Sequence, residues 1–281
     1  MTAAAGAPEG AQADVDVLVP TCDRPDALAV TLAGLVGQEP RPARLVVADQ
    51  TAGTPAYDAP VVAAVLRLLR HRGTDVELHH RPERRGVAEQ RDFLLGRARA
   101  GACLMLDDDT LLEPGALRVL VDALGATGAG FVGMPMTGLS YVEDVRPHEH
   151  AAYEPWDGQV RPERVRKGEP AWERWRLHNA ANAVHLAQGL DVPERGWVAY
   201  KVAWVAGCVL YRTAALRAAG GFSFWPELGP HGAGEDVAAQ LAVLERDGGA
   251  GLLPSRAHHL ELATTLPRRE VDGYAVVTAA R

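Results

Sequence analysis

The chain has 281 residues, of which 47% are hydrophobic and 23% are charged, a balance that excludes disordered and fibrous classes. Its formal net charge of −7 argues against general nucleic-acid binding, because neutralising phosphates requires a basic surface. The three cysteines, Cys22, Cys103 and Cys208, predict neither a disulfide framework nor a zinc site. This length predicts one α/β domain or two coupled halves.

Two features of the chain bear on its location. Residues 1–14 are rich in Ala and Gly and lack a basic start and an apolar core, so we expect a flexible tail rather than a signal peptide. The longest apolar stretch, residues 202–211, is far shorter than the ~20 residues needed to cross a bilayer. We therefore expect a cytoplasmic protein, with peripheral attachment to a membrane left open.

Short β-type runs alternate with helical periodicity from residue 15 to about residue 124, which predicts a parallel sheet with crossover helices. The predicted strands lie at residues 15–20, 45–48, 76–79 and 103–106, and helices begin near residues 25, 61, 87 and 114. After an irregular region at 136–201, we predict a strand at 203–211 and helices at 213–219 and 234–247. Trp172 and Trp175 in the irregular region either pack it onto the core, which we favour, or stack on a sugar.

Three consecutive carboxylates, Asp107, Asp108 and Asp109, directly follow the apolar run 104–106. Ligands of open α/β sheets bind beyond the carboxyl ends of such strands. Carboxylate oxygens suit hard cations such as Mg²⁺ or Mn²⁺. The triplet therefore predicts a metal site, with a solvated acidic turn as the alternative.

Other charged and polar residues follow the remaining predicted strands. They are Pro20, Thr21 and Arg24 after the first strand, Asp49 after the second, and Gly86 and Arg91 after the third. Each has a structural alternative: a helix N-cap, a turn or a solvated charge run. Arginines and a bound cation together would balance a diphosphate, so we interpret these segments and the triplet as one nucleotide site.

A second acidic pair, Glu235 and Asp236, lies far along the chain, immediately after Gly234 and before a helical run. Carboxylates in a first helical turn often only complement the helix dipole. Because the triplet would already occupy a cation, one carboxylate here is free to act as a base. His258 and His259 follow at a predicted strand end, where an imidazole can complete a cation's shell or be purely structural.

These segments, in this order, resemble a family 2 glycosyltransferase of the GT-A fold over most of residues 15–259. The segments that carry the resemblance are 17–25, 45–51, 85–92, 106–109 with 112–115, 205–208, 219–222 and 234–236. The resemblance implies a Rossmann-like, mostly parallel central sheet flanked by helices, with an acceptor-side half. It also implies transfer of a sugar from a nucleoside diphosphate donor to an acceptor hydroxyl, with inversion at the anomeric carbon.

The resemblance further implies roles for single residues. Pro20, Thr21, Arg24 and Asp49 would hold the base and ribose, Asp107 the ribose, Asp109 the metal, and Asp236 would be the base with Glu235 as its substitute. We group Asp108, Gly86 and Arg91 with the nucleotide and His259 with the metal, Mn²⁺ or Mg²⁺. Departures from the family pattern at Cys22, Ala48 and Asp92 leave the donor open, with a UDP-sugar favoured.

We predict a tail at 1–14, a nucleotide-sugar half at 15–135, an acceptor and catalytic-base half at 136–265, and a C-terminal segment at 266–281. The acceptor is a small molecule, a glycan or a lipid-linked compound, and the oligomeric state is open. One alternative is a nucleotidyltransferase, which would need a Gly-rich phosphate loop after the first strand, whereas residues 20–24 contain no glycine. Another is a non-catalytic binding protein on the same fold.

Overall fold

A computed structural model of the chain describes residues 12–265 and 269–279. The strands in these residues are β1 Gln12–Thr21, β2 Arg41–Asp49, β3 Asp75–His80, β4 Ala102–Leu106, β5 Thr110–Leu112, β6 Phe131–Gly133, β7 Val198–Tyr200, β8 Cys208–Arg212, β9 Gly232–Ala233, β10 Gly249–Leu253, β11 Ala257–His259 and β12 Val271–Asp272. The α-helices are α1 Pro25–Val36, α2 Pro60–His71, α3 Val87–Arg97, α4 Ala116–Thr127, α5 Pro147–His150, α6 Asn182–Gln188, α7 Thr213–Ala218, α8 Trp225–Leu228, α9 Glu235–Asp247 and α10 Gly273–Ala279. Short 3₁₀ helices cover Ala56–Asp58, Leu139–Tyr141 and Pro170–His178.

Eight strands form one central sheet in the order β3-β2-β1-β4-β8-β6-β10-β7. The first four are mutually parallel, and β8 runs antiparallel between β4 and β6. The edge strand β7 is also antiparallel to its neighbour. This mostly parallel sheet, flanked by helices, confirms the predicted fold class.

The sheet is buried on both faces, which explains why its strands are almost continuously apolar. In β4, Leu104 and Leu106 pack with the apolar residues of α1, α2 and α4. The alternating residues Cys103 and Met105 pack with those of α3, α7 and α9. Because β4 is packed on both faces, its position is fixed. The acidic triplet, which directly follows β4, therefore lies at a defined place at the carboxyl end of the parallel strands.

The structure departs from the predicted elements at several places. The first strand begins at Gln12, so residues 12–14 belong to the sheet and not to a tail; residues 1–11 lie outside the described part. The strand predicted at 203–211 begins only at Cys208. The reason is that the N–H and C=O of Val205 pair with the side-chain amide of Gln240, both at 2.7 Å, instead of with a neighbouring strand.

The irregular region 136–201 contributes the edge strand β7 to the same sheet as the nucleotide-side strands. Its Trp172 contacts Trp204 and Tyr274, with ring centroids 5.1 and 4.9 Å away. Trp175 is likewise packed against the core, so the packing interpretation is confirmed for both tryptophans. No helix within residues 12–265 or 269–279 has the length and apolar character of a bilayer span.

Candidate active site

The carboxylates of the triplet point to different partners, which is how adjacent like charges are accommodated. Asp108 accepts a hydrogen bond from Thr21 Oγ1 at 2.6 Å. Asp109 accepts one from the Arg24 guanidinium at 2.6 Å, and the same nitrogen lies 3.4 Å from Asp108. Burial raises the pKa of Asp108 to about 7. Although burial also acts on Asp109, hydrogen bonds from His259 and Arg24 hold its pKa below the ordinary value.

The register of two short strands brings His259 to Asp109 across 150 residues of chain. β11 pairs antiparallel with β5 so that His259 lies opposite Thr110, and Leu260 N–H donates to Asp109 O at 2.9 Å. His259 Nε2 lies 3.3 Å from the Asp109 carboxylate. Side chains alternate along a strand, so His258 turns the other way and its Nε2 contacts Glu113 at 2.7 Å. Of the two histidines, His259 is the one placed to share a cation with Asp109.

Arg91 joins the acidic triplet to the start of α9. Its guanidinium donates to Asp107 at 2.6 Å and to Glu235 at 3.0 Å. The Arg91 and Glu235 side chains are only 6% and 7% exposed, so the buried charges compensate each other. Arg91 is therefore a bridge between two parts of the site. We had grouped it with the nucleotide, but both of its contacts in the structure are to carboxylates.

Asp236 differs from its neighbour Glu235 in its surroundings. It is partly exposed, and its carboxylate accepts hydrogen bonds from the backbone N–H groups of Val237 and of Asp236 itself. Burial raises the pKa of both carboxyl groups, and Arg91 opposes that effect at each. Glu235 is held in place by Arg91, whereas Asp236 keeps oxygens available for an incoming group.

The residues predicted to hold the nucleotide lie at the expected strand ends, but several of their side chains are already engaged. Asp49 is fully buried, and its two oxygens accept the N–H groups of Thr51 at 2.7 Å and Ala56 at 2.6 Å. Asp49 therefore stabilises a turn, which was the structural alternative to a nucleotide contact at this position. Thr21 is bound to Asp108, and Pro20 is buried in β1. The side chains of Asp49 and Thr21 are therefore bound within the protein.

Buried glutamines hold the strand ends in register, and the motif analysis missed them. Gln90 donates to the carbonyls of Thr21 and Ala48, both at 2.9 Å, and so joins the ends of β1 and β2. Gln50 accepts the N–H of Gly86 at 3.2 Å. Gln240, on α9, fixes the loop before β8. For Gln90 and Gln240, the signal in the sequence is a polar residue among the buried positions of a helix, which periodicity alone treats as an exception.

A cavity of about 310 Å³ opens beside His259. Its wall includes Met136, Tyr141, Arg146, His178, His259 and Glu261. Burial lowers the pKa of His178 to about 4, so this side chain is neutral at physiological pH. The cavity links the Asp109 and His259 pair to the irregular region 136–201.

Comparison with known proteins decides the family. Residues 16–183 match the model described as Glycosyl transferase family 2, which is more than half of the chain. The chain belongs to glycosyl transferase family 2. This confirms the resemblance carried by the strand-end motifs. No curated protein sequence matches it.

Solved structures agree with this family 2 glycosyltransferase in fold. S. aureus TarS 1–349 has a TM-score of 0.54 at 14% identity, covering 87% of this chain and 60% of that one. The same protein in complex with UDP-GlcNAc gives 0.52 at 14% identity, covering 90% and 60%. GalNAc-T7 with UDP, GalNAc and Mn²⁺ gives 0.56 at 13% identity, covering 87% and 42%. The glycosyltransferase thus spans between two fifths and three fifths of these chains.

In this glycosyltransferase Gly86 lets the nucleotide-side loop approach the turn before β9. Its φ is +95°, and an added Cβ would lie 2.9 Å from Gly229 O. Replacing Gly86 by Ala is therefore expected to lower the free energy of unfolding by about 1–3 kcal/mol, measured by chemical denaturation. Gly96→Ala, within the following helix α3, is the control, because no atom lies within 4 Å of its added Cβ. Equal stability of both variants would contradict a close approach at Gly86.

Proposed function

We propose that this chain transfers a glycosyl group from a nucleoside diphosphate sugar, with a UDP-sugar favoured, to an acceptor hydroxyl with inversion. The observation that carries the proposal is the chain of contacts Asp107–Arg91–Glu235, which fixes the acidic triplet relative to Asp236. Residues 15–135 would hold the donor and residues 136–265 the acceptor. TarS is solved in complex with UDP-GlcNAc and GalNAc-T7 with UDP, which supports a uridine donor.

The residues present fit a divalent cation, Mn²⁺ or Mg²⁺. Among the described residues no group of three or more His, Cys, Asp or Glu side chains is arranged around one point. Such cations are commonly held by one or two protein groups together with substrate phosphates and water, so Asp109 and His259 suffice. The cation would stabilise the charge that develops on the leaving diphosphate. Mn²⁺ in the GalNAc-T7 structure supports this choice.

Arg24 also contributes positive charge next to the Asp109 carboxylate. Its guanidinium is a cation already seated on Asp109, so a metal at this carboxylate would compete with it. A displaced Arg24 would be free to pair with the diphosphate, which is its predicted role in binding the nucleotide.

Asp236 is the group we assign to proton transfer. An acceptor hydroxyl is a weak nucleophile at neutral pH, and a carboxylate within hydrogen-bond reach takes its proton as the new bond forms. Asp236 is suited to this step because its carboxylate is partly exposed, whereas Glu235 is committed to Arg91. A cytoplasmic location stays a prediction from the sequence.

A thermal-shift panel tests the donor and the metal together. A ligand that binds only the folded state raises apparent stability by mass action. We expect UDP with Mn²⁺ to raise the melting temperature more than ADP, GDP or CDP with Mn²⁺, and UDP with EDTA to have little effect. A larger shift with another nucleoside diphosphate would replace the proposed base. Equal shifts with and without the cation would remove the metal from the proposal.

Replacing His259 by Ala is expected to raise the Mn²⁺ concentration needed for half of the UDP-induced thermal shift by about tenfold or more, because one metal ligand is lost. His258→Ala is the matched control, since His258 contacts Glu113 and not Asp109. An unchanged Mn²⁺ titration of the His259 variant would return this residue to a structural role.

The sequence predicts that the irregular region 136–201 selects the acceptor through exposed residues near Tyr153 and Trp156. These two side chains themselves pack inside the protein. The Tyr153 and Tyr200 ring centroids lie 5.7 Å apart, and Trp156 packs on the core and donates to Gly249 O at 3.3 Å. In the structure, Tyr141 and His178 line the cavity instead, so we assign the acceptor to their side of the insertion.

A further inference from the structure

Exposed apolar side chains are concentrated at one place on the surface. Of the nine large hydrophobic side chains that are exposed in the described residues, four belong to the segment 139–145 and a fifth is Leu262. Leu139, Tyr141 and Val145 are 52%, 52% and 56% exposed. We call these five residues the apolar rim: Leu139, Tyr141, Val142, Val145 and Leu262. A concentration of exposed apolar side chains of this kind is typical of a site of interaction.

The apolar rim borders the mouth of the cavity. Tyr141 belongs both to the rim and to the cavity wall. Ser140 N–H donates to the Glu261 carboxylate at 3.3 Å, and the Ser140 hydroxyl also bonds Glu261, which joins the segment 139–145 to the residue before Leu262. The rim is therefore continuous with a cavity whose inner wall carries His259.

The cavity wall combines polar and apolar groups, whereas the rim is apolar. The polar groups of the wall include His259 and Glu261. A molecule that filled both would have a polar, hydroxyl-bearing end inside the cavity, on the side of His259. Its other end would be hydrophobic.

The charges around the rim argue against a membrane surface as the occupant. Glu143, Asp144 and Glu261 lie within or beside it. The nearby Arg146 is neutralised by Asp144, which accepts two hydrogen bonds from its Nε at 3.1 and 3.0 Å. An acidic border is repelled by the anionic lipids that attract peripheral proteins. A discrete amphiphilic molecule has no such penalty.

We propose that the apolar rim binds the hydrophobic portion of an amphiphilic acceptor whose hydroxyl-bearing end enters the cavity. This inference rests on the proposed function, because it names the acceptor class of the same site. Transfer would then favour acceptors that carry an alkyl or similar apolar group over the same sugar without one.

Binding of two simple glycosides tests the inference without a donor. n-Octyl β-D-glucoside, kept below its micelle concentration, and methyl β-D-glucoside share the sugar and differ in the apolar chain. Isothermal titration of the full chain is expected to show at least about tenfold tighter binding of the octyl compound, since even two buried methylenes supply that factor. The double variant Leu139→Ser with Val145→Ser should lose this preference. The matched control is Val61→Ser with Leu68→Ser, because this pair is exposed to a similar degree on α2 and should keep the preference.

Four outcomes would overturn the inference. Equal binding of the two glycosides, or an octyl preference that survives in the Leu139 and Val145 variant, removes the rim as a binding surface. Binding to phosphatidylglycerol vesicles that the variant abolishes would identify a membrane instead, and a dimer that the variant dissociates would identify a second copy. The UDP and Mn²⁺ thermal shift is measured on the same samples. An octyl preference without that shift would overturn the proposed donor and metal, and would leave the rim in place.

Discussion

Replacing Asp236 by Asn is expected to lower the rate of glycosyl transfer by about 10²- to 10⁴-fold, the scale of a positioned general base. The amide keeps the shape of the side chain but cannot take the acceptor's proton. Donor binding should be unchanged, because the two groups assigned to the metal, Asp109 and His259, lie at the end of β4 and on β11. Initial rates at saturating donor, together with the UDP-induced thermal shift, measure the two effects separately.

Glu235→Gln serves as the matched control for this variant. Glu235 is adjacent in sequence, but its carboxylate faces Arg91 at 3.0 Å, so its loss should act on stability more than on the chemical step. A silent Asp236 variant beside an inactive, folded Glu235 variant would move the base to Glu235.

The pH profile of the parent enzyme supplies an independent check on the base. Burial raises the pKa of Asp236 above the ordinary value for an aspartate. Since only the ionised carboxylate accepts a proton, transfer should fall as the pH drops through this raised pKa. The limb should therefore lie above about pH 4, where an unperturbed aspartate would place it. In Asp236→Asn this limb of the kcat/KM profile is expected to disappear.

Replacing Asp109 by Ala is expected to abolish the metal-dependent part of nucleotide binding. The variant removes the carboxylate that lies 3.3 Å from His259, so the cation loses its principal protein ligand and the diphosphate loses its counter-charge. Affinity for UDP in Mn²⁺ should then fall to the value that the parent shows in EDTA. Isothermal titration with and without Mn²⁺ measures this difference.

The fold should survive this change, because Leu260 bonds the backbone carbonyl of Asp109 rather than its side chain. Asp122→Ala, an exposed site on α4, repeats the change of charge away from the site and should bind like the parent. Equal UDP affinity of the Asp109 variant and the parent in excess Mn²⁺ would contradict a metal site at this carboxylate.

Much of the fold could be predicted from local patterns. The crossover helices and strands from residue 15 to residue 124 follow from apolar runs and helical periodicity, which are properties of neighbouring residues. The strand predicted at 203–211 was wrong over its first residues, because backbone groups there bond a side chain and not a neighbouring strand. Val205 bonds the side chain of Gln240, so a run that is apolar enough for a strand remains a loop, and no local pattern reports such a contact.

The candidate site divides in the same way. The residue types of the site and their places in the chain could be predicted from the sequence alone. They are three carboxylates after β4, an acidic pair at the start of α9, and a histidine pair near residue 258. These depend on short segments, in which chain connectivity sets which residues emerge together at the edge of the sheet.

Only the tertiary structure decided which of these groups meet. The register of β11 on β5 selects His259 over His258 for Asp109, and Arg91 faces Asp107 and Glu235 although 144 residues separate it from Glu235. Asp49, which the sequence left open between a ligand and a turn, has both oxygens bound to backbone N–H groups. The physical reason is that ion pairs and strand registers depend on distances in space, and these follow from how the whole core packs.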